Sequence, residues 1–309
     1  EMSASLVGSE MGIRDRYEPL LMGVQGSMWT EFCNHPSDVT YQVFPRLAAV
    51  AEVAWSPKGS KDWPVFVEAL DGYLAHLQAK GIRYARSMYN IQHTVTPAGG
   101  KLKVDLVCER PDVEIRYTTD GMEPGAASDL YEGPLTVDAD AVVKCATFRD
   151  GQKMGQTLEL RLDWNLATAK PLLGLPAQAG ILVNGLRGSL KQTDFEWYTG
   201  DMSRPLTFTV DLLERQLVTE CAVGCITNYG MGCHKPRTLT VETSDDNRTF
   251  VPAGSLHFTD ADIFKEGTFV EDLRVKVGTR ARYLRFTLEA PGNCPPDHVR
   301  PGQPSRIYV

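Results

Sequence analysis

This chain of 309 residues has no apolar run long enough to cross a membrane as a helix. Its longest such run, Leu47 to Trp55, is interrupted by Glu52 and falls far short of the roughly 18 residues a span needs. It also lacks a basic excess. Lys and Arg total 32 against 39 Asp and Glu, a formal charge of −7, so nucleic acid, which demands a basic stripe against its phosphates, is not an expected partner. The cysteines do not form an even set: seven leave at least one thiol unpaired within the chain. Nor do they show metal-ligand spacing. Cys221, Cys225, Cys233 and His234 lie near one another in sequence, but four residues along a strand separate Cys221 from Cys225 by about 13 Å, too far for one tetrahedral zinc with bonds near 2.3 Å. No metal and no cofactor are expected.

A 42% share of hydrophobic residues can build proper cores, and the length suggests two or three domains. The richest stretch is residues 23 to 55, GVQGSMWTEFCNHPSDVTYQVFPRLAAVAEVAW. A strand is expected from about Leu21 to Trp29. Side chains at i and i+2 of a strand point the same way, so Trp29 and Glu31 would face one cavity. An indole covering the C–H face of a pyranose and a carboxylate accepting from its hydroxyls make a sugar pocket. A helix then opens at Pro36, a residue favoured at the first helical position, with Val39, Val43, Phe44, Leu47, Val50, Ala51 and Ala54 forming a buried stripe. Pro45 should break or restart it. A second helix has Asp62 as N-cap, Phe66, Leu70, Leu74 and Leu77 on one face, and Gly81 as its stop. Trp55 and Trp63 read as core or barrel-base residues.

From about Ile91 to Trp164 the period becomes two. Lys101–Val107, Val113–Thr118, Val142–Phe148 and Thr157–Leu162 read as strands of a small antiparallel sandwich, with a hairpin turn at Thr119-Asp120-Gly121. Cys108 and Cys145 fall on apolar phases of that sandwich, and a bridge between them or two free thiols remain open. Residues 165–180 read as a linker. Beyond them Leu206–Leu212, Leu217–Ile226, Thr238–Thr243 and Tyr283–Leu288 alternate, and a second sandwich is expected.

The motif Gly23-Val24-Gln25, Trp29-Thr30-Glu31, then Phe44-Pro45-Arg46, Ala51-Glu52 and Trp55 closely resembles the last strand and helix of the catalytic (β/α)8 barrel of glycoside hydrolase family 20, the β-N-acetylhexosaminidases. The resemblance implies that Trp29 lines the pocket around a terminal N-acetylhexosamine and that Glu31 binds its outer hydroxyls. It also implies substrate-assisted retaining hydrolysis, in which the acetamido oxygen attacks the anomeric carbon, a Glu acts as acid then base and an adjacent Asp orients the acetamido group. That Asp-Glu pair ends the fourth barrel strand. Glu10, Asp15 and Glu18, the only acidic residues between Met2 and Leu20, sit in a connector with no strand to present them. The chain is therefore expected to be a C-terminal fragment carrying the last unit of a barrel that needs about 250 residues. It supplies pocket residues without the catalytic group.

The run Ile115, Tyr117, Thr118, Thr119, Asp120, Gly121 and Pro124 resembles the fibronectin-like C-terminal domain of chitobiases and hexosaminidases, expected at residues 91–164 after a barrel part at 1–90. Asn184-Gly185, Trp197, Gly200, Val210-Asp211-Leu212, Phe250 and Ala281 to Arg285 resemble the discoidin, or factor V/VIII type C, jelly roll, expected at 165–309 and continuing slightly past Val309. In that fold, loops at one end bind sugars; the candidates are Trp197, Tyr198, Tyr229, His234 and Arg237, with a packing role as the competing reading. The resemblance implies glycans ending in N-acetylhexosamine and the rest of the barrel as partners, and a periplasmic, cell-surface or secreted parent. Two further readings stay open: a glycan-binding protein on a decayed barrel, and plain scaffolding by the two β-domains.

Overall fold

The computed structural model describes residues 23–31, 33–200 and 204–309. Leu21 and Met22 of the expected first strand, and the acidic residues Glu10, Asp15 and Glu18, lie outside the described residues. The chain divides into two units, Glu1–Met88 and Tyr89–Val309.

In the first unit, residues 23–29 form no strand, which corrects the sequence expectation. A strand exists only through a hydrogen-bonded neighbour, and none is present among the described residues of this unit. The helices form as their sequences dictate. Helix α1 (Pro36–Val43) begins at proline, and the Asp38 carboxylate accepts from the backbone N–H groups of His35 at 3.0 Å and Asn34 at 3.2 Å, which satisfies donors exposed at a helix start. Pro45 ends it, and α2 (Arg46–Trp55) starts at the next residue. The Arg46 guanidinium donates to the Gln42 carbonyl at 2.9 Å, covering the end of α1. Helix α3 (Trp63–Ala79) is capped by Asp62, which accepts from the Val65 N–H at 3.0 Å, and it stops before Gly81, whose φ of +66° suits glycine.

Leu70, Leu74 and Leu77 are the buried core of this unit, with Phe44, Ala48, Phe66 and Tyr73 packed around them. That core is small. Trp55 and Trp63, expected in a core or at the base of the barrel, are 88% and 62% exposed, because no second apolar layer among the described residues of this unit covers those faces.

The second unit is mostly β. Strands β1 (Gln92–Ala98), β2 (Lys101–Val107), β3 (Glu114–Thr118), β4 (Asp129–Leu130), β5 (Leu135–Val137), β6 (Ala141–Arg149), β7 (Gln152–Lys153) and β8 (Leu158–Leu162) form two antiparallel sheets, β1-β2-β5 and β4-β3-β6-β7 with β8 also on β6. Alternation sends Leu102, Val104 and Leu106 of β2 into one core with Val143, Cys145, Leu160 and Leu162 of the facing sheet, so the pair is a sandwich. Gly121 takes φ +80° and the Asp120 carboxylate accepts from Met122 N–H at 3.0 Å. The Asp-Gly turn therefore exists, but it does not close a tight hairpin: the strand that returns beside β3 is β4, with Tyr117 opposite Asp129. Cys145 is fully buried and Cys108 half-buried, and no disulfide joins them; burial pushes the Cys145 thiol up to about 12.

Residues 165–180 are not a loose linker. Strand β9 (Leu172–Leu173) pairs with the next long strand, and Thr168, Ala169 and Ala179 are buried. Backbone bonds from Ala169 N–H to Val183 O at 2.8 Å and from Asp211 N–H to Pro171 O at 3.0 Å satisfy the main chain, and small side chains let it approach closely. The remaining strands are β10 (Leu206–Asn228), β11 (Thr238–Ser244), β12 (Val251–His257) and β13 (Thr268–Glu289), with a short helix α4 (Asp260–Ile263) between the last two. They form one sheet in the order β12-β11-β13-β10-β9. The two strands expected at 206–212 and 217–226 are thus one strand of 23 residues, and its register against β13 shifts between Asp211 and Gln216 and again between Val218 and Glu220. Both halves of the bent ribbon turn apolar residues into one core, Phe208 and Val210 from one, Val223 and Cys225 from the other. Among the described residues no helix is long and apolar enough to cross a membrane.

Asp211 holds the bend. Its carboxylate accepts from Arg282 at 2.8 and 2.9 Å and from the Leu213 N–H at 2.8 Å, next to Leu213 at φ +71°. The Arg282 hydrogen bond, ahead of burial, which opposes it, lowers the Asp211 pKa from 3.8. A depressed folded-state pKa contributes stability that is complete above the unfolded value and is lost as pH falls through the folded one. Asp211→Asn should therefore cost about 1–2 kcal/mol at pH 7, with the gap to wild type closing below about pH 4; denaturant titrations across pH measure both. Limited proteolysis of the whole chain should trim it toward a fragment beginning near residue 89, because the first unit rests on the smaller core. Equal resistance of residues 23–88 in a monomer would contradict this.

Candidate functional site

Trp29 and Glu31, the expected sugar-facing pair, are both exposed, Trp29 at 67%. A shallow hollow beside them is lined by Thr30, Cys33, Asn34, His35, Pro36 and Val39, and neither Trp29 nor Glu31 contributes to it. The residue types suited to a sugar are present and unobstructed. Without a strand, the i, i+2 geometry that would aim them into one cavity is not set by this unit alone.

In the second unit the five candidates separate. Trp197 is only 8% exposed; its indole N–H donates to Ser189 O at 2.9 Å and its ring lies against Gly188, where an added Cβ would come within 2.1 Å of it. Tyr198 is half-buried, exchanges backbone bonds with Val309 at 2.7 and 3.0 Å, and packs on the main core. Neither residue is an exposed platform. Trp197 lines a cavity of about 220 Å³ with Glu196, Arg187, Asp272, Phe208 and Phe286. Its charged groups are engaged: Glu196 bonds His93 at 3.2 Å and Asn184 at 2.9 Å, and Arg187 grips both carboxylate oxygens of Asp272 at 3.0 and 3.1 Å. Of these, the His93–Glu196 contact joins the two β-sandwiches of the unit.

The other three candidates lie around α4. Arg237 donates to Asp260 at 2.5 Å and to the Pro291 carbonyl at 3.1 Å, which ties adjacent loops together. Tyr229 opens a single 3-10 turn after Asn228, whose side chain accepts from Met231 N–H at 3.3 Å, and Gly232 leaves that turn at φ +70°. The Tyr229 ring stands 3.9 Å from that of His298 and 6.0 Å from that of His234, with Phe264 at 5.0 Å from His234 on another side.

His234 is wholly buried. Its Nδ1 lies 3.0 Å from the Ile263 carbonyl and its Nε2 is 3.2 Å from Nε2 of His298, while His298 Nδ1 accepts from the Arg300 N–H at 2.9 Å. A nitrogen facing a carbonyl must carry hydrogen and one facing an N–H must not. His234 is therefore the Nδ1–H tautomer, and His298 the Nε2–H tautomer that donates to it. Burial, reinforced by His298, pushes His234 down to about 4, and burial followed by the Arg300 charge lowers His298. The thiol of Cys294 completes a cluster in which the three donor atoms lie within 4.8 Å of one another, all three residues buried.

Reading along the chain singled out His234 but gave it Cys221, Cys225 and Cys233 as neighbours. Cys221 and Cys225 instead face the sheet core, and the Cys233 thiol lies 3.9 Å from the Met231 carbonyl. Cys294 and His298 stand four residues apart, a short Cys/His spacing the sequence reading passed over, and they reach His234 only when the segment after β13 folds back.

Residues 5–58 match the sequence model described as glycosyl hydrolase family 20, catalytic domain, and residues 97–159 match the chitobiase/beta-hexosaminidase C-terminal domain. A beta-hexosaminidase of Porphyromonas gingivalis is 30% identical over 151 residues, 46% of this chain and 19% of that protein. A beta-N-acetylhexosaminidase of Cellulomonas fimi is 44% identical over 46 residues, 15% of this chain and 9% of that protein. The matches thus span no more than about a fifth of these curated relatives. Among solved structures, the C-terminal domain of a chitobiase from Bacteroides fragilis aligns at TM-score 0.24 and 19% identity, covering 42% of this chain and 74% of that one. A Clostridium perfringens CBM32 domain in complex with glcNAc-alpha-1,4-galactose aligns at TM-score 0.30 and 17% identity, covering 47% and 89%.

Truncating an aromatic in a packed interior costs about 3–5 kcal/mol, whereas losing an exposed platform costs little stability. Trp197→Ala should therefore lower the unfolding free energy of the chain by several kcal/mol in denaturant titrations. An unchanged midpoint would restore the platform reading.

Proposed function

We propose that this chain is the C-terminal part of an exo-acting β-N-acetylhexosaminidase that removes terminal N-acetylhexosamine by substrate-assisted retaining catalysis. The match of residues 5–58 to the family 20 catalytic domain, across the segment that holds Trp29 and Glu31, is the observation that carries this reading. The match at 97–159 to a chitobiase/beta-hexosaminidase C-terminal domain supports it, because it follows the first match in the chain. The parts proposed are the barrel end at 1–90, a fibronectin-like sandwich at 91–164 and a discoidin-like jelly roll at 165–309. The parent is periplasmic, on the cell surface or secreted.

In the assembled barrel, Trp29 walls the pocket beside the acetamido group and Glu31 accepts from hydroxyls remote from the cleaved bond. The apolar faces of the first unit, with Trp55 and Trp63 exposed, are then the faces that the other barrel units cover. Protonation of the leaving oxygen belongs to a carboxylic acid outside this chain. General acid-base help contributes about 100- to 10,000-fold, and the acetamido nucleophile also needs an orienting carboxylate, so the isolated chain should not turn over a chromogenic N-acetylglucosaminide. Turnover by the purified chain above a heat-killed control would overturn that.

In the full-length protein Trp29→Ala should lower kcat, because the indole shapes the cyclising transition state. Glu31→Gln should divide its loss between KM and kcat, since a grip on remote hydroxyls acts on both ground and transition states. Wild-type kinetics in either variant would contradict the assignment.

A further inference from the structure

We propose that His234, Cys294 and His298 form a binding site for a zinc-class transition-metal ion that fastens the loops at the α4 end of the second unit. One observation points to a ligand, and a second shows that the site has the size for one. First, three buried donors, His234 from one segment and Cys294 and His298 from a second, distant one, converge within 4.8 Å, and two imidazoles and a thiol are the donor set of a borderline-soft cation, unlike the oxygen cages of calcium and magnesium. Second, the spacing fits. A tetrahedral zinc with bonds of about 2.0–2.1 Å to nitrogen sets its two nitrogens about 3.3 Å apart, and the two Nε2 atoms are 3.2 Å apart.

The second shell is partly in place. The Ile263 carbonyl takes the Nδ1 hydrogen of His234 and leaves its Nε2 lone pair facing the cluster, the arrangement that fixes a metal-bound histidine. The protons balance as follows. Between the two Nε2 atoms lies one hydrogen, carried by His298; on binding it moves to Nδ1 of the same ring, and Nδ1 and the Arg300 N–H, now 2.9 Å apart, must separate because two donors cannot face each other. Both imidazoles stay neutral. The Cys294 thiol loses its proton to solvent, so one proton is released per ion bound. The Cys294 sulfur must close by up to about 1 Å to reach the roughly 3.6 Å N···S edge of such a site, and a solvent molecule takes the fourth position. The site joins the segment after β10, the segment after β13 and, through Ile263, helix α4.

The test is metal titration of the chelator-treated, reduced full chain, with Co²⁺ as spectroscopic probe and Zn²⁺ in competition. One Co²⁺ per chain is expected, with tetrahedral visible bands and a thiolate-to-cobalt charge-transfer band, displaced by Zn²⁺ with release of one proton. Cys294→Ser should abolish the charge-transfer band, and His298→Gln should weaken Zn²⁺ binding at least about 100-fold, beyond the effect of losing an outer-shell partner. Cys108→Ser, at the half-buried thiol of the other sandwich, should leave the spectrum unchanged. Absence of Co²⁺ and Zn²⁺ binding to the wild-type chain, or a charge-transfer band that survives Cys294→Ser, would overturn the proposal. Because the wild-type spectrum is decisive by itself, a His298 variant that fails to fold does not protect it, and no outcome depends on hexosaminidase activity.

Discussion

The last sandwich depends on one constraint: a two-stranded ribbon of 23 and 22 residues must bend so that both of its halves face one core. A straight ribbon would leave half of its apolar side chains in water. The register shifts supply the bend, and the Asp211–Arg282 pair with the left-handed backbone of Leu213 fixes where it occurs. The same ribbon delivers the loops. Asn228 at the end of β10 leads into Tyr229 and His234, and Glu289 at the end of β13 leads toward Cys294 and His298.

The first unit follows a different logic. Its three helices are capped and stopped by their own sequences, yet among the described residues three leucines make up their buried core. Exposed Trp55, Trp63, Val65 and Trp29 are more apolar surface than its small core explains. That imbalance supports reading it as one unit of a larger barrel, where neighbouring strands would also supply the ladder that residues 23–29 lack.

Two of the proposed sugar contacts in the last domain changed meaning once placed. Trp197 and Tyr198 were legible as aromatic residues near a turn, but their burial and their bonds to Ser189 and Val309 make them part of the packing. Arg237 is spent on Asp260 and the Pro291 carbonyl. Tyr229 and His234 do come together, though around an imidazole cluster rather than on an open aromatic shelf.

Local rules settled much of this from sequence. Pro36, Pro45, Asp62 and Gly81 set the helix limits, because capping and φ restriction act over a few residues. Period-two alternation placed β2, β6, β8 and β11, and the motif around Trp29 and Glu31 was readable because its spacing is fixed along one short stretch. The rest required the folded chain. Whether 206–228 is one strand or two depends on a partner some 60 residues away, and whether 165–180 is a linker depends on β10 accepting β9. The exposure of Trp55 and the burial of Trp197 depend on what lies opposite. The meeting of His234 with Cys294 and His298 depends on a return of the chain after β13, and such contacts between distant residues leave no spacing in the sequence by which to find them.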